Sequence, residues 1–276
     1  MSYRTILVQV DTSRRCPARL EVAVGLARRY EAHLIGLSVF STFEPRGYVA
    51  VEIGASVLEI QRRMAAEHLA HCEDIFKRAM AAAGMTNIEW RSASADPVGA
   101  TVLNARYADL LVLGQDDPSD PAALDSGFAQ QVVLAAGRPV LVVPYAVSIE
   151  SVGRRVLVAW NASAEATRAL TDAIPLLRDA DEVHLVSFNP KAMEHGDVPG
   201  ADIGLYLARH RVRVSVKIDR AAGIDVGNEL LSRAADLGVD LIVMGAYGHT
   251  RLREMVLGGA TRTLLESMTV PVFLSH

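Results

Sequence analysis

The chain of 276 residues is 50% hydrophobic and 22% charged, with a formal net charge of −4, a mixture that suits one large domain or two of ordinary size with a buried core. A pI near 6.1 gives no basic footprint for nucleic acid or an anionic membrane, so neither is expected as a partner. No apolar run reaches the roughly 18 to 20 residues of a membrane span, and the start MSYRTILVQVD carries no signal-peptide core, which makes the cytoplasm the expected location.

In chain order, RTILVQVDTS (4–13) reads as a buried strand running into a turn at Asp11, and Cys16 opens the first helix. AEHLAHCED reads as helix, with His68, His71 and Cys72 at spacings of three and four. Zinc accepts such ligands but needs a third or fourth from elsewhere, so a partly exposed helix face is the simpler expectation. Cys16 and Cys72 cannot build a disulfide framework and are expected as free thiols; a helix N-terminus would lower the Cys16 pKa, whereas burial as a small residue is the plainer outcome. DPVGATVLNARYADLLVLG (96–114) then gives a helix and a strand, and RPVLVVP (138–144) a further strand.

The second half repeats the first. RRVLVAWNAS (154–163) matches 4–13 with Asn161 in place of Asp11, an offset of 150, while Asp240 matches Asp109 at 131 and Pro271 matches Pro139 at 132. The falling offset places some nineteen extra residues in the first half, within 41–83. Second-half strands are expected at 156–160, 183–188, 212–218, 241–245 and 270–275, alternating with amphipathic helices, the first of which Pro175 should kink or split. Short apolar strands alternating with helices predict parallel pairing through right-handed crossovers. The expected fold is α/β: two tandem, doubly wound, five-stranded parallel-sheet domains with helices on both faces, over 1–147 and 152–276. Asp96 and Asp225 occupy equivalent places before a helix and are expected to cap it.

In a doubly wound sheet ligands bind beyond the carboxyl ends of the strands, at the switch point. There the second half carries MGAYGHTRLREMVLGGAT (244–261), with Gly245, Gly248 and Gly258 spaced Gly-x2-Gly-x9-Gly. Glycines before a helix N-terminus let the backbone approach an anion, and His249, Arg251 and Arg253 add charge in between. The spacing is neither the Rossmann turn nor the Walker phosphate loop. By itself it leaves two readings open, a phosphate cradle or a set of turn and cap glycines.

The Gly-x2-Gly-x9-Gly loop after the fourth strand, in a five-stranded repeat opening on ILVQVD, resembles the universal stress protein family, and the whole chain resembles its tandem form. The resemblance implies an adenine nucleotide α-hydrolase-like fold and, in nucleotide-binding members, ATP held by an acid after strand one, backbone near the end of strand two, and the glycine loop. Carried onto this chain, it points to Ala159, Asn161, Phe188, Met244, Gly245, Gly248, Gly258, Gly259, Ala260 and Thr261. Two positions depart from the pattern: the acid is Asn161, and the Ser or Thr after the last glycine is Gly259. Losing one neutral hydrogen bond costs about 0.5–1.5 kcal/mol, so neither departure alone forbids binding.

The implied ligand is ATP, with ADP or AMP as alternatives and Mg²⁺ as an accompanying ion. The resemblance also implies association through the last strand of each domain, LVVP and VFLS, within one chain, with homodimerisation as a further step. The first domain keeps Asp11 but has Asp116, Asp117 and Asp120 in its loop after Gly114, an acidic, solvated connection expected to repel phosphate, which leaves Asp11 as a turn or capping residue. The expected function is a stress-response binding or sensing module; the alternative is a nucleotide-independent dimerisation or interaction scaffold. No Ser, His and Asp set stands at a nucleophile spacing, so no catalytic residue is assigned, and with no evident general base or arginine finger beside the glycine loop at most slow ATP hydrolysis is expected.

Overall fold

A computed structural model describes residues 2–41, 55–123, 126–188, 200–219, 225–247 and 259–276. The first half contains β1 (Thr5–Gln9), α1 (Cys16–Tyr30), β2 (His33–Phe40), α2 (Ala55–Ala82), β3 (Ile88–Ser94), α3 (Pro97–Ala105), β4 (Leu110–Gly114), α4 (Phe128–Ala135) and β5 (Val140–Val143). The second half contains β6 (Arg155–Ala159), α5 (Ala164–Asp172), α6 (Ile174–Asp179), β7 (Glu182–Phe188), α7 (Ala201–Arg209), β8 (Val214–Asp219), α8 (Val226–Asp236), β9 (Leu241–Gly245), α9 (Gly259–Ser267) and β10 (Val272–Ser275). The α5–α6 break falls where the sequence places Pro175, whose ring cannot donate the hydrogen bond that a continuous helix needs there.

The strands form one ten-stranded sheet in the order β3-β2-β1-β4-β5-β10-β9-β6-β7-β8. Each half is parallel, and the halves meet where β10 runs antiparallel to β5, Val272 opposite Val142 and Leu274 opposite Val140. The central strands are apolar because helices bury both faces: Leu110, Leu111 and Val112 in β4 and Leu241, Ile242 and Val243 in β9 are fully buried. Two apolar clusters, one on each face, run continuously through both halves.

The repeat shows in the polar clamps as well as in the strands. Asp109 accepts from the main-chain N–H of Arg4 and Thr5 at 2.7 and 3.0 Å. Asp240 does the same for Arg154 and Arg155, and also holds Gly153 N and Ser151 Oγ. Each carboxylate satisfies donors at the start of its domain's first strand that would otherwise go unpaired. Asp96 and Asp225 cap α3 and α8 through Gly99 N at 2.5 Å and Gly227 N at 3.1 Å, as their placement before the helices predicts. The extra length of the first half is visible in α2, 28 residues long against nine in α7.

Candidate functional site

The strand order reverses between β1 and β4 in the first domain and between β6 and β9 in the second, so two crevices open beyond these carboxyl ends. In the second, β6 ends at Ala159 and the chain turns through Ala162, which adopts a left-handed φ of 59°. Asn161 is exposed and its Oδ1 accepts from Ser163 N at 3.1 Å, closing the turn. Ser163 in turn caps α5, its Oγ accepting from Ala166 N at 3.1 Å.

Gly245 ends β9 where a side chain has no room: a Cβ would overlap Ala166 N and Glu165 in the first turn of α5. This glycine lets a helix approach a strand end, a packing role that loop spacing alone does not distinguish from phosphate contact. Met244 is 7% exposed and commits its side chain to the apolar cluster with Ala246 and Leu264, while Phe188, half-buried at the end of β7, packs against the same cluster. Thr261 is buried in the first turn of α9 and its Oγ1 accepts from Tyr247 N at 3.4 Å, tying the loop start to the helix start. Gly259 opens α9 and is exposed; Ala260 follows it, half-buried. Gly248 and Gly258, with His249, Arg251 and Arg253, lie outside the described residues.

Tyr247 itself adopts a left-handed φ of 58°. Burial and the neighbouring Asp116 push its phenol up to about 12. Its ring meets that of His276 edge-on at 6.2 Å between centroids, and His276 Nδ1 lies 3.0 Å from Ala246 O. The start of the loop therefore sits at the seam between the domains. On the other side of that seam Gln115 Nε2 donates to Leu265 O at 2.9 Å, at the end of α9.

The first crevice is filled on its β4 side. Arg19, 3% exposed, reaches from α1 to donate from Nε to Gln9 O at 2.7 Å, and its Nη2 lies 2.8 Å from Asp11 Oδ1. That Nη2 has no aligned hydrogen-bond acceptor, so the contact is an ion pair held by proximity. Asp11 also accepts from Gln9 Nε2 at 2.7 Å and from Ser13 N at 3.0 Å. Burial alone would raise the Asp11 carboxyl, but Arg19, Ser13 and Gln9 outweigh it and hold the group below its usual range. A Cβ on Gly114 would collide with Arg19 Nη1, so the strand-end glycine of this domain admits an arginine.

Asp11 is thus a turn residue and half of a buried ion pair, and not a helix cap; α1 starts after Arg15 with no side-chain cap. The acidic loop differs from the solvated connection expected. Asp120 is buried and accepts from Arg14 N and Ala122 N, and Asp116 accepts from Gly127 N at 2.6 Å, because the loop folds back and needs acceptors for its own N–H groups.

Arg19 was legible only in part. It lies on the same helical stripe as Cys16, Leu20, Ala23 and Ala27, all buried, and a lone arginine on an apolar stripe opposite a retained strand-end glycine is the signal that marks it. Cys16 opens α1 but is buried, and burial, offset in part by Arg19, raises its thiol. His68 Nε2 lies 3.5 Å from buried Cys72 Sγ, but His71 is exposed. Positions 71 and 72 point about 100° apart on a helix, and no group of three metal-binding side chains converges among the described residues. No helix among these residues is long and apolar enough to cross a membrane.

Fold and crevices together define a tandem α/β protein of the adenine nucleotide α-hydrolase-like class. The family model described as "Universal stress protein family" matches residues 2–144 and again 153–276. The chain belongs to the universal stress protein family. It is 39% identical over 46 residues to a universal stress protein of Methanocaldococcus jannaschii, across 17% of this chain and 28% of the relative. It is 43% identical over 37 residues to one from Synechocystis sp., 13% of each chain. These matches span well under half of either relative. The crystal structure of a universal stress protein from Archaeoglobus fulgidus superposes with a TM-score of 0.72 at 18% identity, covering 98% of this chain and 97% of that one, a likeness of fold.

Proposed function

We propose that the chain is a stress-response binding or sensing module whose second domain holds an adenine nucleotide in the crevice beyond β6 and β9. The observation that carries this reading is the start of α9 at the switch point, pinned by the Thr261 to Tyr247 bond and opened by exposed Gly259. A helix N-terminus offers unpaired N–H groups and partial positive charge to a phosphate. Arg19, which packs against Gly114 in the first crevice, corresponds by the 150-residue offset to Ala169, so the second domain lacks that arginine.

The donor set fits a nucleotide with one change of role. Because Asn161 Oδ1 is engaged by Ser163 N, the free end of the side chain is Nδ2, a donor. It would donate to a ribose or base acceptor, whereas a carboxylate would accept from a hydroxyl. The main chain of Gly259 and Ala260 would meet phosphate oxygens. ATP is the first ligand to test, with ADP and AMP beside it and Mg²⁺ present. Hydrolysis, if any, would be slow, and the module is taken to work in the cytoplasm and to form homodimers.

The second reading is a nucleotide-independent interaction scaffold, favoured by Gly245 and Thr261, which packing alone explains. Thermal shift and calorimetry with millimolar ATP, ADP and AMP separate the two. A ligand at about ten times its Kd stabilises by about 1.4 kcal/mol. Gly259→Glu, at a helix start that tolerates an acid, should abolish that stabilisation without unfolding the protein. No shift with any nucleotide favours the scaffold, whereas an unchanged shift in Gly259→Glu puts the nucleotide away from the start of α9.

A further inference from the structure

The outer edges of the sheet are β3 in the first domain and β8 in the second, and they are covered unequally. Most of β3 is half-buried, with Phe76 of α2 packed on Trp90 at 5.5 Å between ring centroids. In β8, Ser215, Val216, Lys217 and Ile218 are all exposed. One side of β8 pairs with β7, and among the described residues no strand pairs with the other. An edge of this kind presents a row of main-chain N–H and C=O groups to whatever strand approaches it.

Side chains along β8 alternate between two faces. Val216 stands on the α7 face, where a Cβ on Gly204 would come within 3.3 Å of it, and Val214 and Ile218 share its period. Gly204 and Ala208 line a shallow groove of about 550 Å³ with Val212, Val214 and Val216. Its apolar rim is open to solvent, Val216 being 40% exposed, Ile218 51% and Leu205 52%. On the opposite face Ser215 Oγ lies 2.8 Å from His184 Nδ1, and Arg213 and Lys217 flank Ser215 in the same period.

The edge is also locally basic in a chain of net charge −4. No acid stands between Asp202 and Asp219, whereas Arg209, Arg211, Arg213 and Lys217 are all exposed. Asp219 is itself paired with Arg233 at 2.9 Å.

We propose that the β8 edge is a docking surface for an extended, acidic segment of another protein in which apolar and acidic side chains alternate. Its main chain adds a strand beside β8, its apolar side chains lie along Val216 and Ile218, and its carboxylates meet Arg213 and Lys217. A second copy of this chain is the poorer occupant. Antiparallel pairing about Ser215 sets Arg213 opposite Lys217 of the other copy, and like charges directly opposite each other destabilise a strand pair.

The test uses the full chain and labelled peptides in fluorescence anisotropy, with hydrogen exchange to locate the contact. A peptide alternating valine with glutamate is expected to bind saturably, more weakly at high salt, and to slow exchange in β8. Its valine–lysine counterpart, a peptide with the glutamates gathered in one block, and one methylated on alternate amides should each bind at least about fivefold more weakly. Arg213→Glu/Lys217→Glu changes two exposed side chains and should leave the thermal midpoint near that of the parent. It should weaken the glutamate peptide by at least about fivefold and bind the lysine peptide in its place. No binding of the glutamate peptide, equal binding of any control, unchanged affinity in the double variant, or protection confined to other elements overturns the proposal. So does tighter binding of anionic vesicles or a single-stranded oligonucleotide, or displacement of the peptide by self-association of the chain. None of these outcomes depends on whether the second domain binds nucleotide.

Discussion

Arg19 and Asp11 form an ion pair of 2.8 Å in the first crevice, where the second domain, by the 150-residue offset, carries Ala169 and Asn161. One domain fills the β4 side of its crevice with an ion pair, and the other carries an alanine and an asparagine at the matching positions, with Glu165 against its strand-end glycine. A buried pair contributes little net stability over apolar replacements but is costly to break from one side.

Breaking this pair on one side is therefore expected to be worse than removing it whole. Arg19→Met should cost about 3–5 kcal/mol, since it leaves Asp11 buried without its counter-charge. Adding Asp11→Asn should recover about 1–3 kcal/mol as a coupling energy in a double-mutant cycle. Urea unfolding of the four proteins measures it, and additive losses would show that the pair is not coupled.

The same pair sets an acid limit. The Asp11 carboxyl is held below the ordinary aspartate value of 3.8 in the folded chain, so its stabilisation is fully present above about pH 4. That contribution is lost as pH falls through the depressed value, where folded and unfolded states both become protonated. The chain should lose stability on acidification below about pH 4, and less steeply in the Arg19→Met/Asp11→Asn protein; chemical unfolding between pH 2 and 7 tests this.

Asp116 works in the opposite direction, because burial raises its carboxyl more than its bonds from Gly127 and Ala129 lower it. A raised group favours folding at low pH and opposes it once pH climbs through the folded value. Asp116→Asn keeps an acceptor for Gly127 N and should stabilise the protein at pH 7 by less than about 1 kcal/mol, as expected for a partly solvated group. The gain should vanish below about pH 4. Paired thermal melts at the two pH values decide it.

Gly245→Ala should destabilise strongly, by about 1–3 kcal/mol, because the new methyl group overlaps α5 at Ala166 and Glu165. Gly259→Ser tests affinity without such a clash, at an exposed helix start. If the nucleotide reading holds, restoring a hydroxyl there should tighten ATP by about twofold to tenfold in calorimetry, the worth of one hydrogen bond. An unchanged Kd would place the phosphates elsewhere.

The two-domain α/β fold was legible because its signals are redundant. Alternating apolar strands, the repeat of Asp109 at Asp240, and the caps Asp96 and Asp225 all report the same backbone, and each has a local physical cause. The crevices were legible less evenly. Asn161 and Gly259 could be placed from spacing, whereas the packing duty of Gly245 depends on α5, a helix some 80 residues away in sequence. Arg19 was hidden because a single arginine in a helix ordinarily faces water, and what buries it is the missing Cβ of Gly114 nearly a hundred residues on.

The antiparallel contact of β5 with β10 joins the halves within one chain. Such a join does not weaken on dilution, and it always brings together one copy of each half. A symmetric pair of identical halves must apply every substitution twice, so a charged plug in one crevice would appear in both. Covalent continuity removes that constraint, and it is what allows Arg19 to seal one side while Ala169 leaves the other free to vary.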